Sequence, residues 1–137
     1  MINTKLTRKA MIIAYEAHKN QVDKSGVPYI YHPIHVAEQM DTENECIIAL
    51  LHDVVEDTNV TFKQLEEVFS KEIIDILKLL TREENIEYDE YIKRIKNNSI
   101  ACKVKIADLT HNLDKTRLDF VTEVDVKRNE KYKWLNR

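Results

Sequence analysis

Five polar side chains interrupt otherwise apolar helical patterns in this sequence: His32, His52, Asp53, Asp108 and Asn112. Imidazole and carboxylate form a mixed nitrogen and oxygen donor set suited to a first-row divalent cation, and the carboxylate share favours manganese or iron over a thiolate-type zinc site. With His32, His52, Asp53 and Asp108 as ligands, coordination positions remain for water. A divalent ion held in this way lowers the pKa of water and polarises a phosphoryl oxygen, which is the chemistry of metal-assisted hydrolysis. Glu56 lies four residues after His52 and Asp57 four after Asp53, so one further helical turn brings both acids near the same cation. There they would orient and deprotonate the attacking water and return a proton to the leaving group. Residue order does not say which acid takes which role.

Each piece has a plainer reading by itself. His52-Asp53 could close a surface helix, and Glu56-Asp57 could finish a helix exposed to solvent. What argues for a site is their occurrence with His32 and Asp108, because a carboxylate at the edge of a core is costly unless a positive charge compensates it.

The elements that must position these residues are helices. One glycine, two prolines and an abundance of Leu, Ile, Lys and Glu point to an all-α, single-domain helical bundle over residues 1–137 with the metal site at its centre. Asn3 or Thr4 caps a first helix carrying Leu6, Ala10, Ile13, Ala14 and Ala17 up to His18. Residues 21–28, with Asp23, Lys24, Ser25, Gly26 and Pro28, hold the densest turn chemistry and the lone glycine, so a loop is expected there. Pro33 at a first helical position starts a second helix reaching about Met40, with His32 at its entrance. A third helix runs from Glu43 to about Val54 behind Thr42, with Ile47, Leu50, Leu51 and Val54 as its apolar stripe. Thr61 with Gln64 forms a capping box for a fourth helix, and Ser70 with Ile73, Ile74, Leu77 and Leu80 marks a fifth.

A charged connector, Arg82 to Glu87, precedes a helix bearing Tyr88, Tyr91, Ile92 and Ile95. The next helix, Ile100 to about Leu113, is expected to be central, with Asp108, His111 and Asn112 on one face. His111 would support a metal ligand through its ring N–H, while His18 reads as a packing residue beneath the site and His35 as exposed or outer. Thr122 with Asp125 opens a last helix whose Tyr132, Trp134 and Leu135 would close the bundle.

Composition narrows the function classes. A net charge of -3 supplies no basic footprint for polymeric nucleic acid, although a small phosphorylated ligand remains compatible. Cys46 and Cys102 lack CxxC spacing and read as buried free thiols of a cytoplasmic protein. Neither a secretory leader nor a membrane span is expected.

The ordered set His32, His52-Asp53 and Asp108 resembles the H…HD…D signature of the HD-domain metal-dependent phosphohydrolases. More narrowly, three stretches are similar to the hydrolase domain of RelA/SpoT proteins and small alarmone hydrolases. These are residues 17–33, with Lys24-Ser25-Gly26, Pro28-Tyr29-Ile30 and His32-Pro33; residues 51–58; and residues 104–112. The resemblance implies a stand-alone enzyme that hydrolyses the 3′-diphosphate of ppGpp or pppGpp, releasing pyrophosphate, usually with manganese. It implies metal binding by His32, His52, Asp53 and Asp108, service of the catalytic water by Glu56 and Asp57, and nucleotide contacts from Lys24, Ser25 and Asn112. A lysine in a glycine-containing loop also suits phosphate on general grounds. Asp23, Leu109 and Asp114 stand where that family carries arginines. Either Lys105, Lys115 and Arg117 replace the missing charge, or the ligand is a nucleotide phosphate less highly charged than ppGpp. A metal-containing nucleotide-binding module with little turnover is the third reading.

Overall fold

The computed structural model describes residues 1–114, and these form eight helices. The sequence expectations placed on residues 122–135, and the basic groups Lys115 and Arg117, lie outside them. The first helix, α1 (Lys5–His18), starts at Thr4, whose side chain accepts from the Thr7 amide while Thr7 reaches back to the Thr4 backbone. The loop that follows is pinned at its base by the pairing of Val22 with Pro28. Gly26 turns it with φ +80°, a conformation that costs a Cβ-bearing residue and explains the glycine. Asp23 braces the same loop: its Oδ1 accepts from the amides of Ser25 (2.8 Å) and Val27 (3.0 Å).

Helix α2 (Tyr31–Glu38) begins two residues earlier than Pro33 predicts. Pro33 still sits in the first turn, where no intrahelical N–H bond is lost. Helix α3 (Glu43–Leu51) is shorter than expected, because the backbone kinks at His52 and Asp53 before a single turn, α4 (Val54–Asp57). Asp53, at φ −104° and ψ −2°, lies in the sparsely populated bridge region where site residues are often found. Next come α5 (Phe62–Glu66), with the Thr61–Gln64 capping box, and α6 (Lys71–Leu80), capped by Ser70. The chain then forms α7 (Tyr88–Lys96) and α8 (Ser99–Asn112), the latter capped by Asn98.

Helix α8 is central as expected, packing against α2, α3, α6 and α7, and α3 is central with it. Cys46, Ile47, Ile48, Ala49, Leu50 and Leu51 are all buried, so α3 is apolar around its whole circumference. It packs against α1, α2, α6 and α8. Helix α8 buries Ala101, Val104, Asp108 and Leu109, with Ile100, Cys102, Ile106 and Ala107 only partly covered. Cys46 is buried as expected, whereas Cys102 is half-exposed. Leu50 has no exposed surface, so Leu50→Ala should lower unfolding free energy by about 2–5 kcal/mol in a denaturant titration. Among the described residues no helix is long and apolar enough to cross a membrane.

Candidate metal centre

The kink after α3 turns His52 and Asp53 toward the start of α2 and the last turns of α8. There His32, His52, Asp53 and Asp108 each offer one ligand atom, and those atoms all lie within 4.8 Å of one another. His32 Nε2 is 2.8 Å from Asp108 Oδ1 and 3.9 Å from Asp53 Oδ2. His52 Nε2 is 3.1 Å from Asp53 Oδ2 and 3.4 Å from Asp108 Oδ1. Metal–ligand bonds of about 2.0–2.2 Å put neighbouring donor atoms roughly 3 Å apart, and these separations bracket that value. The donor set and its spacing therefore fit a divalent metal ion.

Outer partners fix the orientation of each donor. His52 Nδ1 donates to the Ala49 carbonyl at 2.6 Å, which turns the Nε2 lone pair inward. Lys105 Nζ holds Asp108 Oδ2 at 3.2 Å, while Asn112 Nδ2 donates to Oδ1 at 3.1 Å. The Tyr29 hydroxyl donates to Asp53 Oδ2. His111 stacks on His32 with Nδ1 atoms 2.7 Å apart, and exposed His35 stacks on the other side of His111 with ring centroids 4.0 Å apart. To present an Nε2 lone pair to a cation, His32 must carry its proton on Nδ1. His111 then serves as acceptor rather than supporting the ligand through its own N–H. His111→Phe should weaken divalent-metal affinity by about 10- to 100-fold in a chelator competition, with His111→Asn, which retains an acceptor, losing less.

Charge in the cluster is balanced. Burial disfavours the His52 imidazolium, yet the Asp53 and Asp108 carboxylates outweigh it and raise its pKa well above the usual histidine value. Burial likewise opposes ionisation of Asp108, but Lys105, His32 and His52 hold its pKa well below the ordinary carboxylate range. Asp53 is lowered against its burial, by His52 first. Lys105 is raised because the Asp108 charge beside it overcomes the cost of burial. Burial, reinforced by Asp53, raises the Tyr29 phenol, so it remains a donor.

Glu56 and Asp57 lie on α4 and face different neighbours. Glu56 Oε1 accepts from the Arg82 amide at 3.3 Å, and burial plus the Asp57 and Asp53 charges raise its pKa. Asp57 is raised by burial and then by Asp53, with His18 acting in the opposite sense. Its backbone carbonyl accepts from Gln21 Nε2 at 3.0 Å.

Lys24 and Ser25 occupy the loop whose far end delivers Tyr29 to Asp53. Three supporting residues fall outside the roles drawn from the sequence: Tyr29 and Gln21 as supports, and Lys105 as the partner of Asp108. Lys105 was findable, since it stands three residues before Asp108 on one helical face. Tyr29 and Gln21 carry no periodicity, and the signal that could have found them is their place in the stretch 17–33 that carries the family resemblance.

Residues 10–117 match the family model described as the HD domain. The bifunctional (p)ppGpp synthase/hydrolase SpoT of Escherichia coli strain K12 is 31% identical over 124 residues, which cover 80% of this chain and 18% of that protein. The chain thus spans about a fifth of the length of that relative. The guanosine-3′,5′-bis(diphosphate) 3′-pyrophosphohydrolase MESH1 of Danio rerio is 35% identical over 124 residues, covering 81% of this chain and 69% of MESH1. A solved structure of a metazoan ortholog of SpoT, one that hydrolyzes ppGpp and plays a role in starvation responses, superposes with a TM-score of 0.77. That likeness spans 99% of this chain and 84% of the other at 24% identity, and it speaks to the fold. The helical bundle, the His/Asp cluster at the kink after α3 and these matches agree, and the chain belongs to the HD domain family.

Proposed function

We propose that this chain is a metal-dependent phosphohydrolase that removes pyrophosphate from the 3′-diphosphate of ppGpp or pppGpp. The observation that carries the reading is the compact two-histidine, two-aspartate cluster, with Glu56 and Asp57 on the helical turn that follows His52 and Asp53. The relatives' names supply the substrate class. His32, His52, Asp53 and Asp108 would hold the cation, and the carboxylate-rich donor set favours Mn²⁺. When bound, such an ion supplies Lewis acidity toward a phosphoryl oxygen and toward water.

The remaining work falls to the chain's own side chains. Glu56, whose pKa is raised by burial and by the Asp57 and Asp53 charges, takes the proton of the attacking water. The water oxygen bonds to the phosphorus attached to O3′, the P–O3′ bond breaks, and pyrophosphate departs. Asp57, on the α1 side, returns a proton to O3′. Lys24 meets phosphate charge, Ser25 donates a hydrogen bond and Asn112 contacts the nucleotide beside Asp108. Residues 1–137 then form one HD-type domain acting in the cytoplasm on a small nucleotide.

Two observations favour a second substrate reading. Asp23 braces its loop with its carboxylate, and Leu109 is buried, so these family arginine positions contribute no positive charge. A nucleotide phosphate less highly charged than ppGpp fits that deficit.

Purification with metal analysis, then a hydrolysis screen with added Mn²⁺ over ppGpp, pppGpp, GTP, dNTPs and cyclic dinucleotides, separates the readings. Pyrophosphate release from ppGpp supports the first. Turnover confined to other nucleotides transfers the assignment to them, and no turnover by the metal-loaded protein overturns hydrolysis itself.

A further inference from the structure

His18 closes α1 and is 1% exposed. Its Nδ1 lies 2.8 Å from Gln21 Oε1, and the same amide donates through Nε2 to the Asp57 carbonyl at 3.0 Å. A backbone carbonyl only accepts, so the Gln21 NH₂ must face Asp57 and its oxygen must face His18. An amide oxygen also only accepts. The ring therefore carries a proton on Nδ1, and in the neutral imidazole the lone pair is left on Nε2. That Nε2 is buried and meets no hydrogen-bonding atom among the described residues. Buried polar atoms are almost always satisfied by protein, water or ligand.

The location of this atom is informative. The His18 ring is tilted against Tyr29 at 4.9 Å, Tyr29 is bonded to Asp53, and Gln21 ties His18 to α4. His18 also lies close enough to Asp57 to act on its charge. These contacts, made by Nδ1 and by the ring face, set the His18 ring beside the supports of the metal centre, and Nε2 is the ring atom they leave unsatisfied among the described residues.

We propose that His18 is a positioning residue whose Nε2 accepts a hydrogen bond from an O–H group lodged at the end of α1, beside the Tyr29 ring. Two sources share this chemistry, a resident water and a hydroxyl of the bound nucleotide. Crystal structures of the wild-type protein loaded with Mn²⁺, with and without a non-hydrolysable guanosine tetraphosphate analogue, distinguish them. An oxygen within hydrogen-bonding distance of Nε2 in both structures identifies water, and one present only with the analogue identifies the ligand. If no oxygen meets Nε2 in either, or if nitrogen-15 NMR finds Nε2 protonated, the proposal is overturned.

Substitutions separate the two ring nitrogens. His18→Asn places an amide where Nδ1 stands and preserves the Gln21 bond, whereas His18→Gln places one near Nε2. We expect His18→Asn to lower kcat about tenfold with metal affinity unchanged, and His18→Gln to recover most of that loss. A His18→Asn variant as active as the parent overturns the proposal. Only this kinetic comparison rests on the hydrolase reading: absence of turnover in the wild type would remove that reading and leave the crystallographic and NMR results to decide on His18.

Discussion

Asp53→Ala is expected to remove both metal binding and hydrolysis. Asp53 is the one carboxylate that adjoins His32 and His52 and also receives the Tyr29 hydroxyl, so its loss deprives the cluster of a donor and leaves a buried phenol without its acceptor. Losing an outer partner of a metal ligand typically costs about 10- to 100-fold in affinity, and losing a ligand should cost no less. Equilibrium dialysis against Mn²⁺ followed by metal analysis reads the result. An Asp53→Ala protein that still carries a full equivalent of metal would remove Asp53 from the ligand set. Tyr29→Phe supplies the internal comparison: the ligand remains, the outer bond is lost, and the affinity should fall by a smaller factor.

Glu56→Gln should separate metal binding from rate. The substitution preserves shape and removes only the capacity to take a proton, so metal content should match the parent while kcat falls by about 10²- to 10⁴-fold. Working out the sign of the pH dependence gives a second readout. Glu56 must be ionised to accept a proton, and its pKa is raised, chiefly by burial and then by Asp57 and Asp53. Activity of the parent should therefore rise with pH through a limb displaced upward from the ordinary carboxylate range. In Glu56→Gln the residual rate should lose that limb. Full activity in Glu56→Gln together with a large loss in Asp57→Asn would exchange the roles of the two acids.

The arrangement around α4 makes this separation possible. Glu56 is held by the Arg82 amide on the side of α6 and α7, whereas Asp57 is tied through its backbone to Gln21 on the side of α1. Two acids adjacent in sequence are thus anchored to different neighbours, while burial raises the pKa of both.

Much of the bundle was legible in the residues. Capping signals at Thr4, Thr42, Thr61, Ser70 and Asn98 mark helix starts, and each side chain accepts from a backbone amide three residues on. These signals act locally, through a single hydrogen bond, so sequence suffices to read them. The turn at Gly26 was legible for the same reason, since a positive φ selects glycine. Identification of His32, His52, Asp53 and Asp108 as one group was also available, because polar residues breaking apolar helical faces are costly without a common purpose.

What the tertiary structure alone decided concerns relations between elements far apart in the chain. That α3 is buried through its last six residues while several apolar residues of α8 are only partly covered depends on how neighbouring helices pack around each, which no local pattern contains. The pairing of Tyr29 with Asp53 joins residues 24 positions apart, and that of His32 with His111 joins residues 79 apart. Sequence determined which side chains are able to bind a cation and activate water. Only packing determined which nitrogen of each histidine faces inward, and that His18 Nε2 is buried with no hydrogen-bonding partner among the described residues. The physical reason is that donor type is a property of a residue, whereas orientation is imposed by partners that long-range folding brings within about 3 Å.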